Sequence, residues 1–217
     1  MSRLTQEQYA NHIYPPDQVL AEVEESIRQC GMPEISVSPG YGRLLTILVK
    51  MSKAESVLEI GALGGYSGIC LARGLGDAGK LVSLEIKPEF AELARKNLTA
   101  ADYGDKVEYR IGDAIHSMQQ LEREGRSFDF VFIDADKVQA PDYLEWSIRL
   151  ARPGAVIVGD NTFMHGKTLD PGHNGPGVQG IRLFNERVAK DPRLDSTLLP
   201  AYDGLVVARV KESVVLK

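Results

Sequence analysis

Two apolar runs in the chain end on groups that hold hard cations. VFIDADK (131–137) closes on Asp134, Asp136 and Lys137, and AVIVGDN (155–161) closes on Asp160 and Asn161. Short apolar β-branched runs of this kind read as buried strands. Neighbouring strands lie about 5 Å apart. If these two are neighbours, Asp134, Asp160 and Asn161 bring two carboxylates and one neutral amide oxygen to a single point. That donor set suits Mg²⁺, Mn²⁺ or Ca²⁺ and not zinc. Three protein ligands also leave coordination positions open, as a catalytic site needs. Each residue alone has a plainer use: Asp134 as a helix cap, Asp160 and Asn161 as turn formers. Their joint place at two strand tips favours the metal site. Asp136 reads as a loop residue. His165 and His173 read as lining or covering a pocket, because hard cations prefer oxygen. His12 and His116 read as ordinary helix positions.

A second constellation lies earlier. VLEIGALGGYSG (57–68) reads as a strand, a tight glycine turn and a helix start. In open parallel sheets ligands bind beyond the carboxyl ends of the strands, where strand order reverses. The spacing of Gly61, Gly64 and Gly65 is not the dinucleotide fingerprint G-x-G-x-x-G. Glu59, just before the turn, would repel a pyrophosphate and suit a cationic ligand. Glu85 closes the run LVSLE, where an acid can accept both ribose hydroxyls. Asp113 and Ala114 follow a third run, at the place of a further nucleoside contact. An acid for ribose, an acid for a cation and no phosphate site together indicate S-adenosylmethionine. The competing reading is a tight strand-to-helix turn with Glu59 paired to an arginine. The placement of Glu85 and Asp113 at strand ends weighs against it.

These tips need a sheet to carry them. Apolar runs recur at VLEI (57–60), LVSL (81–84), FVFI (130–133), AVIV (155–158) and LVVARV (205–210), with a weaker one at VEYRI (107–111). Between them lie helical patterns. PEFAELARKNLTAADY (88–103) opens on a proline, DAIHSMQQLEREG (113–125) runs from a capping Asp to a Gly, and APDYLEWSIRLARPG (140–154) ends in Pro-Gly. Strand–helix alternation predicts an α/β fold with a mostly parallel sheet covered on both faces. The end differs: two strand-like runs within 194–212 flank a turn at Asp203-Gly204, which predicts a hairpin and an antiparallel last pair. DQVLAEVEESIRQC (17–30) and YGRLLTILVKM (41–51) predict helices outside the sheet, with a short one over 9–14. The stretch 161–177, rich in Gly, Pro and His, reads as a long loop, and loops of that length tend to be lids or disordered. With no repeat or linker, residues 1–217 read as one domain, with 1–53 as helices packed on its core.

The 217 residues carry 43% apolar and 25% charged side chains, enough for a core of ordinary size. A net charge of −5 argues against an electrostatic grip on nucleic acid. No window approaches the length of a membrane span, and MSRLTQEQYANHIYPP has no apolar signal-peptide core. Two cysteines, Cys30 and Cys70, make no disulfide framework. A cytoplasmic protein with no membrane partner is expected.

With VSPGYGRLL (37–45), VLEIGALGGYSG, FIDADK, GDN and DGLVVARV in place, the chain resembles the cation-dependent O-methyltransferases of the catechol and caffeoyl-CoA type over nearly its whole length. FIDADK followed by GDN is the specific part. The resemblance implies a Rossmann-like methyltransferase fold with seven strands, the last antiparallel. It implies cofactor contacts at the backbone of Val37, at Glu59, Gly61, Ala62, Ser67 and Asp134, at Glu85 on the ribose, and at Asp113 and Ala114 around the adenine. It places the metal on Asp134, Asp160 and Asn161, makes Lys137 the general base, and implies a homodimer. The activity implied is methylation of one hydroxyl of a catechol-like or caffeoyl-type vicinal diol, dependent on S-adenosylmethionine and a divalent cation, Mg²⁺ foremost. A cation beside a phenol lowers that oxygen's pKa. The chain departs from the plant members at His165, where they carry Asn near the substrate. It also lacks a basic N-terminal cluster for a CoA tail, which favours a small phenol over a CoA thioester.

Other classes remain in view. The D-x-D within FIDADK would suit a metal-dependent phosphohydrolase, but there it lies on the first strand and needs no glycine turn. A dehydrogenase that uses NAD is opposed by the glycine spacing and Glu59. A protein that binds S-adenosylmethionine without turning it over would not need Lys137.

Overall fold

The computed structural model describes residues 4–212. Its strands are β1 (Ser56–Ile60), β2 (Lys80–Glu85), β3 (Val107–Ile111), β4 (Phe128–Ile133), β5 (Ala151–Asp160), β6 (Leu194–Leu199) and β7 (Leu205–Val210). They form one sheet in the order β3-β2-β1-β4-β5-β7-β6. β7 is antiparallel to both its neighbours, and the other pairings are parallel. The order reverses at β1, which pairs with β2 on one side and β4 on the other. The crevice beyond β1 and β4 is where a doubly wound sheet binds ligands.

The apolar strand runs bury both faces. Alternate residues of a strand point to opposite sides, and the core divides accordingly. Leu58, Ile60, Val131 and Ile133 pack with α6 (Ala114–Arg123), α7 (Ala140–Leu150) and α8 (Pro176–Lys190). Val57, Phe130 and Phe132 pack with α2 (Gln18–Gln29), α3 (Pro39–Ser52), α4 (Tyr66–Ala72) and α5 (Pro88–Ala100). α2 and α6 start on the expected acids, whereas the first helix and α3 start earlier than expected, at Gln6 and Pro39. Asp17 caps α2, Asp113 caps α6, and Pro39 and Pro88 open α3 and α5. α1 (Gln6–His12) carries a Thr5–Gln8 capping box but buries no residue. Of the N-terminal helices, α2 and α3 therefore reach the core and α1 does not. β3 gave a weak signal because it is an edge strand with no fully buried residue.

Two expectations need correction. Pro153-Gly154 does not end a helix. α7 stops at Leu150 and the chain enters β5 at once, with Ala151 paired to Phe128 and an irregularity before Phe130 absorbing the extra residues. Asp129 fixes that irregular edge: its Oδ2 accepts from the Glu55 and Ser56 amides at 3.0 Å each, and it pairs with Arg152 at 2.8 Å. Asp129→Ala is expected to cost about 1–3 kcal/mol, because two amides lose a charged acceptor, checked by urea unfolding.

Nor is 161–177 an open loop. Residues Lys167–Leu169 form a 3₁₀ turn and the segment runs into α8, for which the sequence reading assigned no element. Arg182 on α8 ties the segment down, donating to the carbonyls of Thr168 (3.0 Å), Lys167 (3.1 Å) and Asp170 (2.6 Å) and to Asn174 Oδ1 (3.0 Å).

Candidate active site

The turn after β1 is built against the end of β4. Gly61 has φ +99°, and a Cβ there would overlap the carbonyl oxygen of Asp134. The Asp134 amide in turn donates to Ile60 O at 2.9 Å. Gly64 has a different reason to be glycine, because Ile27 of α2 occupies the space a side chain would need. Glu85, at the tip of β2, holds the turn from the other side. Its Oε2 accepts from the amides of Ala62 (3.1 Å) and Leu63 (3.0 Å), and its Oε1 from Lys87 N (3.0 Å). It stays on the cavity wall with lone pairs left for a ligand's hydroxyls.

Glu59 stands elsewhere than its expected ligand contact. It is 1% exposed and does not line the cavity. It accepts from Ser67 Oγ at 2.6 Å and Ser83 Oγ at 2.5 Å. Burial pushes its carboxyl up to about 7, against the two serine hydrogen bonds. A carboxyl raised in the fold binds protons that the unfolded chain has already lost. Its contribution therefore falls as pH rises from about 4.5 through about 7. Glu59→Gln should flatten that part of the curve relative to wild type, as read by melting temperature across this range. An unchanged slope would contradict the burial of an ionisable group here.

The two metal-candidate tips meet. β4 and β5 pair with Ile133 opposite Gly159, so Asp134 and Asp160 leave the sheet side by side. Lys137 Nζ donates to Asp134 Oδ1 at 2.8 Å, with both side chains about a fifth exposed. Asp160 is 6% exposed and accepts from the Asn161 amide at 2.7 Å. Burial first and the Asp134 charge second push its carboxyl up to about 7. Asn161 has φ +59°, a left-handed conformation that Asn tolerates better than most residues. Among the described residues no group of three His, Cys, Asp or Glu side chains could hold an ion. Asn161, which also lines this end of the cavity, offers a neutral amide oxygen. Two carboxylates pressed together with a single ammonium, and an all-oxygen donor set, fit a hard divalent cation.

A cavity of about 750 Å³ joins the two constellations. Its wall includes Val37, Gly61, Ala62, Ser67, Glu85, Asp113 and Ala114 at one end. Asp134, Lys137, Asp160, Asn161 and His165 lie at the other. Asp113 also caps α6 through His116 N at 2.7 Å. Asp136 is the loop residue expected, accepting from the Val138 and Gln139 amides, although it lines the cavity too. His165 is at the rim, with its side chain 85% exposed. His173 pairs with Asp170 at 2.8 Å and does not line the cavity.

Sequence reasoning missed Asp203, which it used only as a turn former. Asp203 lines the cavity and accepts from His165 N at 2.5 Å. The signal was available: a last antiparallel strand must begin at the edge where the parallel strands end. Tyr143 and Met164, also on the wall, carried no such signal. Met164, His165 and Tyr202 all have left-handed backbone, at φ +48°, +55° and +49°. Strain of this kind gathers at functional sites.

A sheet reversing at β1, with a cavity beyond its strand tips walled by Glu85 and Asp113 at one end and Asp134 and Asp160 at the other, has a class I methyltransferase architecture. Comparison with known proteins agrees. The sequence profile of the O-methyltransferase family matches residues 10–211. The chain is 42% identical over 201 residues to a catechol O-methyltransferase of Niastella koreensis, covering 90% of this chain and 91% of that one. It is 40% identical over 200 residues to a catechol O-methyltransferase of Mycobacterium tuberculosis, covering 90% of each. Among solved structures, an O-methyltransferase from Bacillus cereus in complex with SAH superposes with a TM-score of 0.89 at 45% identity, covering 94% of this chain and 96% of that one. The chain belongs to the O-methyltransferase family, and its enzyme class is S-adenosylmethionine-dependent O-methyl transfer. That membership overturns the phosphohydrolase and dehydrogenase alternatives.

Proposed function

We propose that the protein transfers the methyl group of S-adenosylmethionine to one hydroxyl of a small catechol-like vicinal diol, with a divalent cation, Mg²⁺ foremost, held by Asp134, Asp160 and Asn161. The observation that carries this reading is the convergence of Asp134, Lys137, Asp160 and Asn161 on one end of a cavity whose other end carries Glu85, Asp113 and Ala114. The names of the two relatives support the acceptor class. Lysine is the only cationic residue type on the described wall, as Lys87, Lys137 and Lys167, which is little for the phosphates of a CoA tail.

In this reading the wall from Val37 to Ala114 orients the donor. Glu85 accepts from the ribose hydroxyls, and the loop Gly61–Leu63 lets backbone approach it. A cation bound at the strand tips would supply positive charge to the diol oxygens. Asp134 holds Lys137 Nζ at the acceptor end. Lys137 stands as the group that takes the proton of the reacting hydroxyl. The new O–CH₃ bond forms as the S–CH₃ bond breaks, and S-adenosylhomocysteine leaves. Positioning supplies much of the rate. His165 and Asp203 face the part of the acceptor beyond the diol.

The test is purified protein with S-adenosylmethionine, Mg²⁺ and a set of catechols and monophenols, with mass detection of the added methyl. Methylation of vicinal diols, abolished by EDTA and restored by Mg²⁺, is expected. Full activity in EDTA, or methylation of monophenols alone, would contradict the reading.

We also infer a homodimer in a reducing, cytoplasmic setting, with neither nucleic acid nor membrane as a partner. The half-exposed faces of Leu4, Tyr9, Ile13 and Tyr14 around α1, a helix with no fully buried residue, support a second copy as the cover. Cys30 and Cys70 are unpaired. No helix among the described residues is long and apolar enough to cross a membrane. Sedimentation should give twice the 23.8 kDa chain mass, and Tyr9→Glu with Ile13→Glu should give monomers. A wild-type monomer at micromolar concentration would contradict the dimer.

A further inference from the structure

We infer that α8 is the strut that positions Lys137, and that Gly180 is the residue through which it does so. Gly180 sits inside α8, the fifth of its fifteen residues. Glycine weakens a helix interior relative to alanine, so its presence there calls for a tertiary reason. The reason is backbone contact. A Cβ at Gly180 would overlap the carbonyl oxygen of Lys137, and would come within 3.0 Å of the Val138 carbonyl oxygen and 3.1 Å of the Lys137 carbonyl carbon. These are main-chain atoms of the FIDADK turn, which cannot swing aside as the end of a flexible side chain can.

The same helix grips the neighbouring strand. The ring of Phe184, one turn further on, fills the space above Gly159, where a Cβ would meet its Cζ at 2.7 Å. Gly159 immediately precedes Asp160. α8 therefore touches the main chain that bears Lys137 and the main chain that bears Asp160, and it does so through glycine at each contact. Close-packed interiors transmit a displacement of this kind rather than absorb it. Gly177, one turn earlier, makes no comparable demand: a Cβ there would lie 3.5 Å from Lys137 Cβ and 3.6 Å from Met164 Cε, ordinary contact.

The inference rests on Lys137 being the base, and the experiment separates the two. Gly180→Ala, Gly177→Ala, Lys137→Ala and the double variant Lys137→Ala/Gly180→Ala are compared for kcat, KM, S-adenosylmethionine Kd by calorimetry, and Lys137 main-chain position by crystallography. Gly180→Ala should lower kcat about ten-fold, leave KM and Kd within about two-fold, and move the Lys137 backbone. It should add nothing on top of Lys137→Ala, because residues acting through one group are not additive. Gly177→Ala should match wild type. A wild-type kcat in Gly180→Ala, or losses that multiply in the double variant, would overturn the positioning role while leaving Lys137 as base. An active Lys137→Ala would overturn the reading of the base and the inference with it. Should Gly180→Ala not fold, Phe184→Leu, at the other main-chain contact of α8, should lower kcat with Kd unchanged and add nothing on top of Asp160→Ala; a wild-type kcat there, or losses that multiply, would overturn α8 as the strut.

Discussion

Asp160→Ala is expected to lower kcat by about three orders of magnitude, or about 4 kcal/mol of barrier, while the Kd for S-adenosylmethionine stays within a few-fold. The split follows from geometry. Asp160 lies at the tip of β5, one strand beyond Asp134, whereas the donor's proposed contacts lie at the tips of β1, β2 and β3. Asp160 is almost wholly buried and, among the described residues, accepts only from the Asn161 amide. A carboxylate sunk there beside a second carboxylate costs stability unless a cation joins them. Removing it takes one of two charges from the proposed cation site and leaves the nucleoside wall untouched. Calorimetric titration should show loss of Mg²⁺ binding in parallel with loss of rate. Equal activity in the variant and wild type would refute the metal role of Asp160.

Lys137→Ala is expected to lower kcat by about 10²–10⁴, the usual worth of a general base, with a small change in KM. Arginine should not rescue it. Guanidinium keeps the charge and can pair with Asp134, but it does not give up its proton under these conditions. A Lys137→Arg enzyme within a few-fold of wild type would show that Lys137 acts as a fixed charge and not as a base. The pairing with Asp134 at 2.8 Å makes this contrast sharp, because either cation can satisfy that carboxylate.

Much of this was legible in residue types, for identifiable reasons. A buried parallel strand is apolar until it leaves the sheet, so its first polar residue marks the ligand-facing edge. Asp134, Asp160 and Glu85 are singled out in that way, and all three line the cavity. Glu59 does not line the cavity because a strand also has faces. It shares parity with Val57, on the side covered by α4, and so meets Ser67 from behind the turn rather than the cavity. α8 went unassigned although Val178, Ile181, Phe184 and Val188 repeat at helical intervals. Pro176 and Gly177 read with the Gly- and Pro-rich stretch 161–177, and Gly180, inside the helix, lets it approach a backbone. The hold of Arg182 on 161–177 depends on contacts between segments that no local pattern encodes.

In the proposed function Asp134, Asp160 and Asn161 hold one divalent ion beside the bound donor. The most direct test of that claim is a crystal of the protein with S-adenosylhomocysteine and Mn²⁺, measured at the manganese edge. One anomalous peak within about 2.0–2.4 Å of an oxygen from each of the three side chains is expected. A peak elsewhere, or an occupied donor site with the three side chains turned apart and no peak between them, would contradict it.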